Sequence, residues 1–484
     1  MNAEYAILVT LLVYKVLLLG IGWVTSQRSR TETDFFLGGR ALGPLVAAIS
    51  ASASSSSAWT LLGVSGLAYR DGLSALWIFP SCVGGFAINW YLLARRARDH
   101  SRRSGALTLT DILADSTTGR WARTLRWLAS SIVVVFFTIY VASQFDAAGT
   151  SLAESFRDTD LALDRRHAIL IGAAIVLFYT LMGGFWAVSV TDTLQGLLMA
   201  ATAFVLPLVA LSAVGPMHFF EAMRNVDQPG FTDLFADRGL AAGFGFVLGL
   251  LGIGLNYPGQ PHVVNRFMAL GGGDRELRRA RRIAMTWAIV VYAGMILLGL
   301  CGRVILQPLA SSEGVFIAVA RETLHPVVAG IMIAAVLSAI MSTADSQLLV
   351  AASAVAHDLR EPGAPATLGL FSSRMVVCGV SVSAVVVALF VDARIFEQVL
   401  FAFSAMGAAF GPLFVVRLFW GPVSGGHALA SMFSGLALVV FAKLVAPALQ
   451  WPEFVLGDGA AVSERVVPLV VAFLIARRGA CRSG

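Results

Sequence analysis

The sequence predicts an all-α polytopic membrane protein of about thirteen transmembrane helices, arranged as two inverted five-helix repeats with one helix before them and two after. Three observations carry this. The 484 residues are 57% hydrophobic and 13% charged, where a soluble domain carries about 25% charged residues. Apolar runs of about 20 residues, the length that crosses a bilayer, recur from one end of the chain to the other. Two of those runs are broken by small and helix-breaking residues, and each opens a set of five. Broken helices in corresponding halves mark a binding site near the bilayer midplane.

The predicted spans fall near 4–25, 42–69, 73–95, 125–150, 167–183, 187–213, 240–268, 282–304, 325–355, 375–392, 396–419, 427–447 and 464–477. The first run, Tyr5 to Val24, follows Asn2 and Glu4 without a basic segment. It exceeds a signal-peptide core and reads as a retained helix, with Lys15 at a helix interface or snorkelling. The spans form one transporter domain over 1–484: an extra helix at 4–25, a first repeat at 42–213, a second at 240–419 and closing helices at 427–477. Loop charges orient them. Arginines crowd 95–126, 269–282 and the tail, whereas 150–166 and 214–239 are richer in acid. The positive-inside rule puts the basic set in the cytoplasm, the N-terminus outside and the C-terminus inside.

Composition also excludes functions. The net charge of +6 resides in short loops, where it sets topology, so no nucleic-acid partner is implied. Cys82, Cys301, Cys378 and Cys481 lack the spacing of a disulfide framework or metal site. No G-x-x-x-x-G-K-[ST] loop and no long hydrophilic segment occurs, which leaves a gradient-driven carrier or a channel. A channel is disfavoured for want of a filter motif. Catalysis is disfavoured for want of a placed base.

The first break is Ser50 to Gly66, S-A-S-A-S-S-S-S-A-W-T-L-L-G-V-S-G. Backbone without bulky cover unwinds at membrane depth only where protein or a water-filled cavity surrounds it. The second is Gly249 to Pro261, G-L-L-G-I-G-L-N-Y-P-G-Q-P, with four glycines, two prolines and Asn256. A third stretch, Leu337 to Val350, carries Ala339, Ser342, Thr343 and Ser346 on one helix face. Neutral hydroxyls and freed carbonyls can replace the water of a monovalent cation; the same hydroxyls can instead bond one turn back along their helix. Acids within spans are costly and informative. Asp192, Asp345 and Asp146 each read as a structural pair, a capped acid or an ion ligand. Tyr140 and Gln144 share a face, and Asp146 stands off it. His262 reads as a packed or hydrogen-bonded histidine.

Five ordered motifs resemble the sodium/solute symporter family, which has the LeuT-type fold, and within it the bacterial sodium/proline symporters. They are F-F-L-G-G-R-A-L-G-P (35–44), Y-T-L-M-G-G-F-W-A-V-S-V-T-D-T-L-Q (179–195), Y-P-G-Q-P-H-V-V-N-R-F-M-A (257–269), M-S-T-A-D-S-Q-L-L-V (341–350) and G-A-A-F-G-P-L-F (407–414). The resemblance implies a sodium site made by the carbonyls of Ala53, Ser56 and Ala339 and the hydroxyls of Ser342 and Thr343. It implies an intracellular ion path at Asp192. It implies a solute cavity at Trp59, Tyr140, Tyr257 and Pro261. Ser55 and Ile253 stand where the proline symporters carry an aspartate and a tryptophan, and Gln144 and Asn256 replace smaller residues.

The expected function is sodium-coupled import of a small polar organic solute by alternating access, an amino acid such as proline foremost. Another amino acid, a betaine, a carboxylate or a sialic acid-like solute is also open. The alternatives are proton coupling through Asp146 or Asp345, and a transport-like solute sensor. Sodium is the expected coupling ion, without an organic cofactor. The expected partners are the solute and the lipid of a bacterial cytoplasmic membrane, with no obligate protein partner.

Overall fold

The computed structural model describes residues 9, 13, 16, 20, 21, 37–155, 163–182, 185–306, 308–359, 366–391, 394–446 and 460–480. Lys15, Cys481 and most of the predicted 4–25 helix lie outside these residues. The described chain is helical, with two isolated β-bridges and no strand. Its helices are α1 (Pro44–Ser55), α2 (Val64–Asp71), α3 (Ile78–Ala87), α4 (Ala94–Ser104), α5 (Leu109–Ala114), α6 (Gly119–Ser155), α7 (Arg165–Met182), α8 (Phe185–Val214), α9 (Phe219–Arg224) and α10 (Leu240–Leu255). They continue as α11 (Pro261–Ala269), α12 (Asp274–Ile305), α13 (Val315–Thr323), α14 (Pro326–Ala356), α15 (Ala366–Phe390), α16 (Ile395–Trp420), α17 (Gly425–Val440), α18 (Ala460–Arg465) and α19 (Val467–Arg478). Nine helical stretches among the described residues are long and apolar enough to cross a membrane.

One of these, Trp59–Ser104, runs 46 residues, about twice what a bilayer needs. It turns at Gly72, whose φ of +64° only glycine adopts freely. Several helices outrun their predicted spans. α4, α6 and α12 extend into arginine-rich segments because helical hydrogen bonding continues where the lipid ends; hydropathy detects only the part in lipid.

The most enclosed spans are α14 and α16: 83% and 89% of their most apolar windows are buried, against 33% for α8. α1 packs against α8, α11, α12 and α14, so the first break lies in the middle of the bundle. The second break lies against α16. A side chain at Gly407 would meet the Asn256 amide at 2.2 Å, and one at Gly259 would meet the Gly407 backbone at 2.7 Å. The glycines of G-A-A-F-G therefore allow backbone-to-backbone packing.

The two broken spans are tied together at the arginine-rich end. Leu42 N–H donates to the Ala269 carbonyl (3.1 Å), and Gly271 N–H donates to the Leu42 carbonyl (2.9 Å). Arg40 donates to the Ser101 and Ala106 carbonyls, and Arg102 to Leu270. Cations on the carbonyls that end helices offset the negative helix pole. At the opposite end Glu313 accepts the N–H groups of Phe396 (3.0 Å) and Ile395 (3.4 Å), which open α16. Burial raises the Glu313 carboxyl above the usual range, against those N–H groups, which lower it.

Candidate ion and solute site

α1 stops where its serines begin to compete for its own carbonyls. Ser52 donates to Ala48 (2.8 Å), Ser54 to Ala51 (3.4 Å) and Ser55 to Ser52 (3.0 Å). Such back-bonding weakens a helix. Ser56 N–H then bonds only three residues back, to the Ala53 carbonyl at 3.2 Å. Only Ser56 leaves the helix; helical structure resumes at Ser57 and Ala58 and runs on as a π-turn, Trp59–Gly63. Every residue from Ala47 to Val64 is buried. The serine run thus acts through its backbone: at the break, carbonyls lose their ladder partners away from water.

α14 meets the break there. Thr343 Oγ1 donates to the Ser54 carbonyl at 3.1 Å. One position earlier, Ser342 Oγ donates to the Ala339 carbonyl at 3.2 Å. All of these residues are fully buried. Of the predicted hydroxyl face, Thr343 reaches α1 at the break, whereas Ser342 bonds one turn back along its own helix.

On the side toward Trp59 the break is held by aromatic hydroxyls. The Ser57 and Tyr140 hydroxyls lie 3.3 Å apart, and Ala58 N–H donates to Gln144 Oε1 at 3.1 Å. Tyr140 and Gln144 therefore share a face, as their spacing predicts. The Ser56 and Tyr292 hydroxyls are 3.4 Å apart, and the Tyr292 hydroxyl lies 2.8 Å from that of Tyr257. Tyr292 thus links the two breaks, and sequence reasoning missed it; a lone tyrosine inside an apolar span was the available signal. The Trp59 ring lies tilted 6.1 Å from Tyr292 and edge-on 5.9 Å from Phe396, and Tyr257 packs edge-on 5.1 Å from Phe403. Trp59 Nε1 and Thr60 Oγ1 are buried without a hydrogen-bond partner among the described residues. Beyond Phe396 lies a cavity of about 320 Å³, bordered by Gly63, Arg70, Glu313 and Arg465.

Ile253 and Pro261 are buried on the second broken span, and the Ile253 carbonyl accepts Asn256 N–H at 3.2 Å. Ser55 is buried with its hydroxyl turned back onto α1. The Asn256 amide braces the second break by donating to the Gly252 and Arg465 carbonyls.

Toward the arginine-rich end the character changes. Asp192 Oδ2 accepts from Ser50 Oγ (2.8 Å), Ser346 Oγ (3.2 Å) and Arg266 Nη2 (3.0 Å). Arg266 also donates to Ser50 Oγ (3.1 Å) and the His262 carbonyl (2.8 Å). Both ions are 0% exposed. Asp192 is therefore a paired acid, and the pair joins α8, α11, α1 and α14. Arg266 escaped the sequence reading because it sits near the end of its span, where arginines anchor membranes. Both oxygens of Asp345 are buried without a partner among the described residues, and both ring nitrogens of His262 are too. The His262 ring packs edge-on against Phe137, 5.6 Å away, so its packed role holds. Asp146 stands outside this region and pairs with Arg165 on α7 at 2.9 Å.

Comparisons with known proteins agree with this architecture. Residues 35–435 match the model of the sodium:solute symporter family. The sodium/proline symporter of Salmonella typhimurium is 36% identical over 453 residues, covering 90% of this chain and 87% of the relative. The osmoregulated proline transporter OpuE of Bacillus subtilis is 34% identical over 448 residues, covering 90% and 88%. Among solved structures, a substrate-bound, outward-open Na+-coupled sialic acid symporter superposes with a TM-score of 0.78 at 19% identity, covering 99% of this chain and 98% of that one. MhsT in complex with L-phenylalanine superposes at 0.53. These likenesses carry the LeuT-type fold. By its matched family model and by relatives above 30% identity over most of its length, this chain belongs to the sodium:solute symporter family.

Proposed function

We propose that this chain imports a small amino acid, proline foremost, by binding one sodium ion where α1 breaks against α14. As a sodium:solute symporter it couples a sodium gradient to solute movement. The ion's ligands are the carbonyls of Ala53, Ser56 and Ala339 and the hydroxyls of Ser342 and Thr343. One observation carries this reading: the Thr343 hydroxyl already reaches the Ser54 carbonyl at 3.1 Å, so hydroxyl and carbonyl oxygens converge in a dry place. A monovalent ion needs only such neutral oxygens.

The solute lies beside the ion, against Ser55, Trp59, Tyr140, Gln144, Ile253, Tyr257 and Pro261. Trp59 Nε1 and Thr60 Oγ1 offer it hydrogen bonds. Sodium fixes the break and so orders the Ser56 and Ser57 hydroxyls that position Tyr292 and Tyr140. Ion and solute stabilise the same state, and each raises the other's affinity by the same factor. Asp192 marks the ion's way out toward the arginine-rich end, which is the cytoplasmic one. The membrane is the bacterial cytoplasmic membrane, with the N-terminus outside and the C-terminus inside. The repeats are 42–213 and 240–419. The chain has no catalytic role, organic cofactor or obligate protein partner.

The driving force suffices. One charge crossing about 100 mV supplies roughly 2.3 kcal/mol, and a tenfold sodium gradient adds about 1.4. Together they sustain roughly 500-fold accumulation of a neutral solute. The test is uptake of labelled proline into proteoliposomes. A sodium gradient alone should drive accumulation and a pH gradient alone should not. Accumulation on the pH gradient alone would transfer the coupling to protons.

A further inference from the structure

At the arginine-rich end, three metal-ligating side chains converge outside the transport site. They are Asp111 on α5, and His357 and Asp358 just past the end of α14. One ligand atom from each lies within 4.8 Å of the others. We propose that Asp111, His357 and Asp358 form a regulatory site for a divalent transition metal of the zinc class, clipping α5 to the end of α14.

The ligand set is that of a three-coordinate protein site completed by water: one imidazole and two carboxylates. His357 Nε2 and Asp111 Oδ2 are 3.1 Å apart. Two donors at about 2.0–2.1 Å from a tetrahedral metal are separated by roughly 3.3 Å, so this pair already has the spacing. The outer shell is also built. Arg126 Nη1 holds the other Asp111 oxygen at 2.9 Å, and Thr108 Oγ1 donates to Asp358 Oδ1 at 2.7 Å. Partners of this kind orient ligands and tune affinity. Asp358 is 4% exposed. The two carboxylates lie close together in the cluster, and a divalent cation between them would offset their mutual repulsion. An adjoining cavity of about 1000 Å³, bordered by Asp111, Arg126, His357 and Asp358, gives access and room for water. On binding, the imidazole carries its proton on Nδ1 and Nε2 takes the metal. Because α14 also bears Ser342 and Thr343, the clip holds the inner end of that helix and slows turnover.

The test titrates Co2+ into the purified, metal-stripped full chain and follows its visible ligand-field absorption. One saturable equivalent is expected, displaced by Zn2+. His357→Gln and Asp358→Asn should each weaken binding at least tenfold. His100→Gln, whose imidazole pairs with Asp115 at 3.0 Å nearby, should change nothing. Unfolding curves in chelator establish that each variant is folded. His357→Cys keeps a ligand and should retain binding, with a new sulfur-to-cobalt charge-transfer band. No saturable absorption in the wild type, or wild-type affinity in His357→Gln and Asp358→Asn, would overturn the assignment. None of these readouts depends on the identity of the transported solute.

Discussion

Two fully buried polar regions sit about one turn apart on α14, and they are built from opposite materials. At Ser342 and Thr343 the polar atoms are neutral hydroxyls and main-chain carbonyls: Ser342 bonds one turn back to Ala339, and Thr343 reaches the first break at Ser54. At Ser346 they join a carboxylate and a guanidinium that pair with each other. A neutral oxygen cluster can gain and lose an ion at little structural cost, since no charge is stranded when the ion leaves. A buried ion pair cannot lose either member without leaving the other in low dielectric. The first region suits an exchangeable site, and the second suits a fixed joint between helices.

The largest expected effect strikes the joint. Arg266→Met strands Asp192 and should cost about 3–5 kcal/mol of stability. Arg266→Met with Asp192→Asn, which strands no charge, should recover much of that loss. Chemical unfolding of both variants decides; equal losses would mean that the pair is not what holds this region. The neutral site should respond in the other currency. Thr343→Ala should raise the sodium concentration for half-maximal uptake at least tenfold, while costing only about 1 kcal/mol of stability, the worth of one neutral hydrogen bond. Wild-type sodium activation in that variant would remove the distinction between the regions.

Tyr292→Phe sharpens the picture on the solute side. It removes the hydroxyl that links Ser56 to Tyr257 and should raise the KM for solute about fivefold, one hydrogen bond's worth. The smallest effect belongs to Asp146→Asn. The pair it breaks with Arg165 is partly open to solvent and should contribute less than about 1 kcal/mol. Uptake by this variant should remain sodium-driven; loss of coupling would place an ion on Asp146 instead.

What the sequence revealed followed from local spacing. The serine run, the Gly/Pro-rich second break and the hydroxyl face of α14 are each readable within about fifteen residues, because a helix repeats every 3.6. Tyr140 and Gln144 were legible for the same reason. The ion pair was not. Ser50, Asp192, Arg266 and Ser346 come from four segments as much as 296 residues apart, by their numbers, and no periodicity in one chain brings them together. Nor does composition say which way a serine points: the hydroxyls of Ser52, Ser54 and Ser55, inside the serine run, turn back onto α1. The helix extensions at α4, α6 and α12 were hidden because hydropathy stops at the lipid boundary.

The most direct test of the sodium assignment is thermal unfolding of the purified protein across a sodium titration, with potassium holding ionic strength constant. A ligand that binds only the folded state stabilises it by about 2.7 kcal/mol at a hundred times its Kd. The wild type should therefore melt at progressively higher temperature as sodium replaces potassium, and Thr343→Ala should lose that response. A wild-type melting temperature indifferent to sodium, or an undiminished response in Thr343→Ala, would contradict an ion held between the first break and α14.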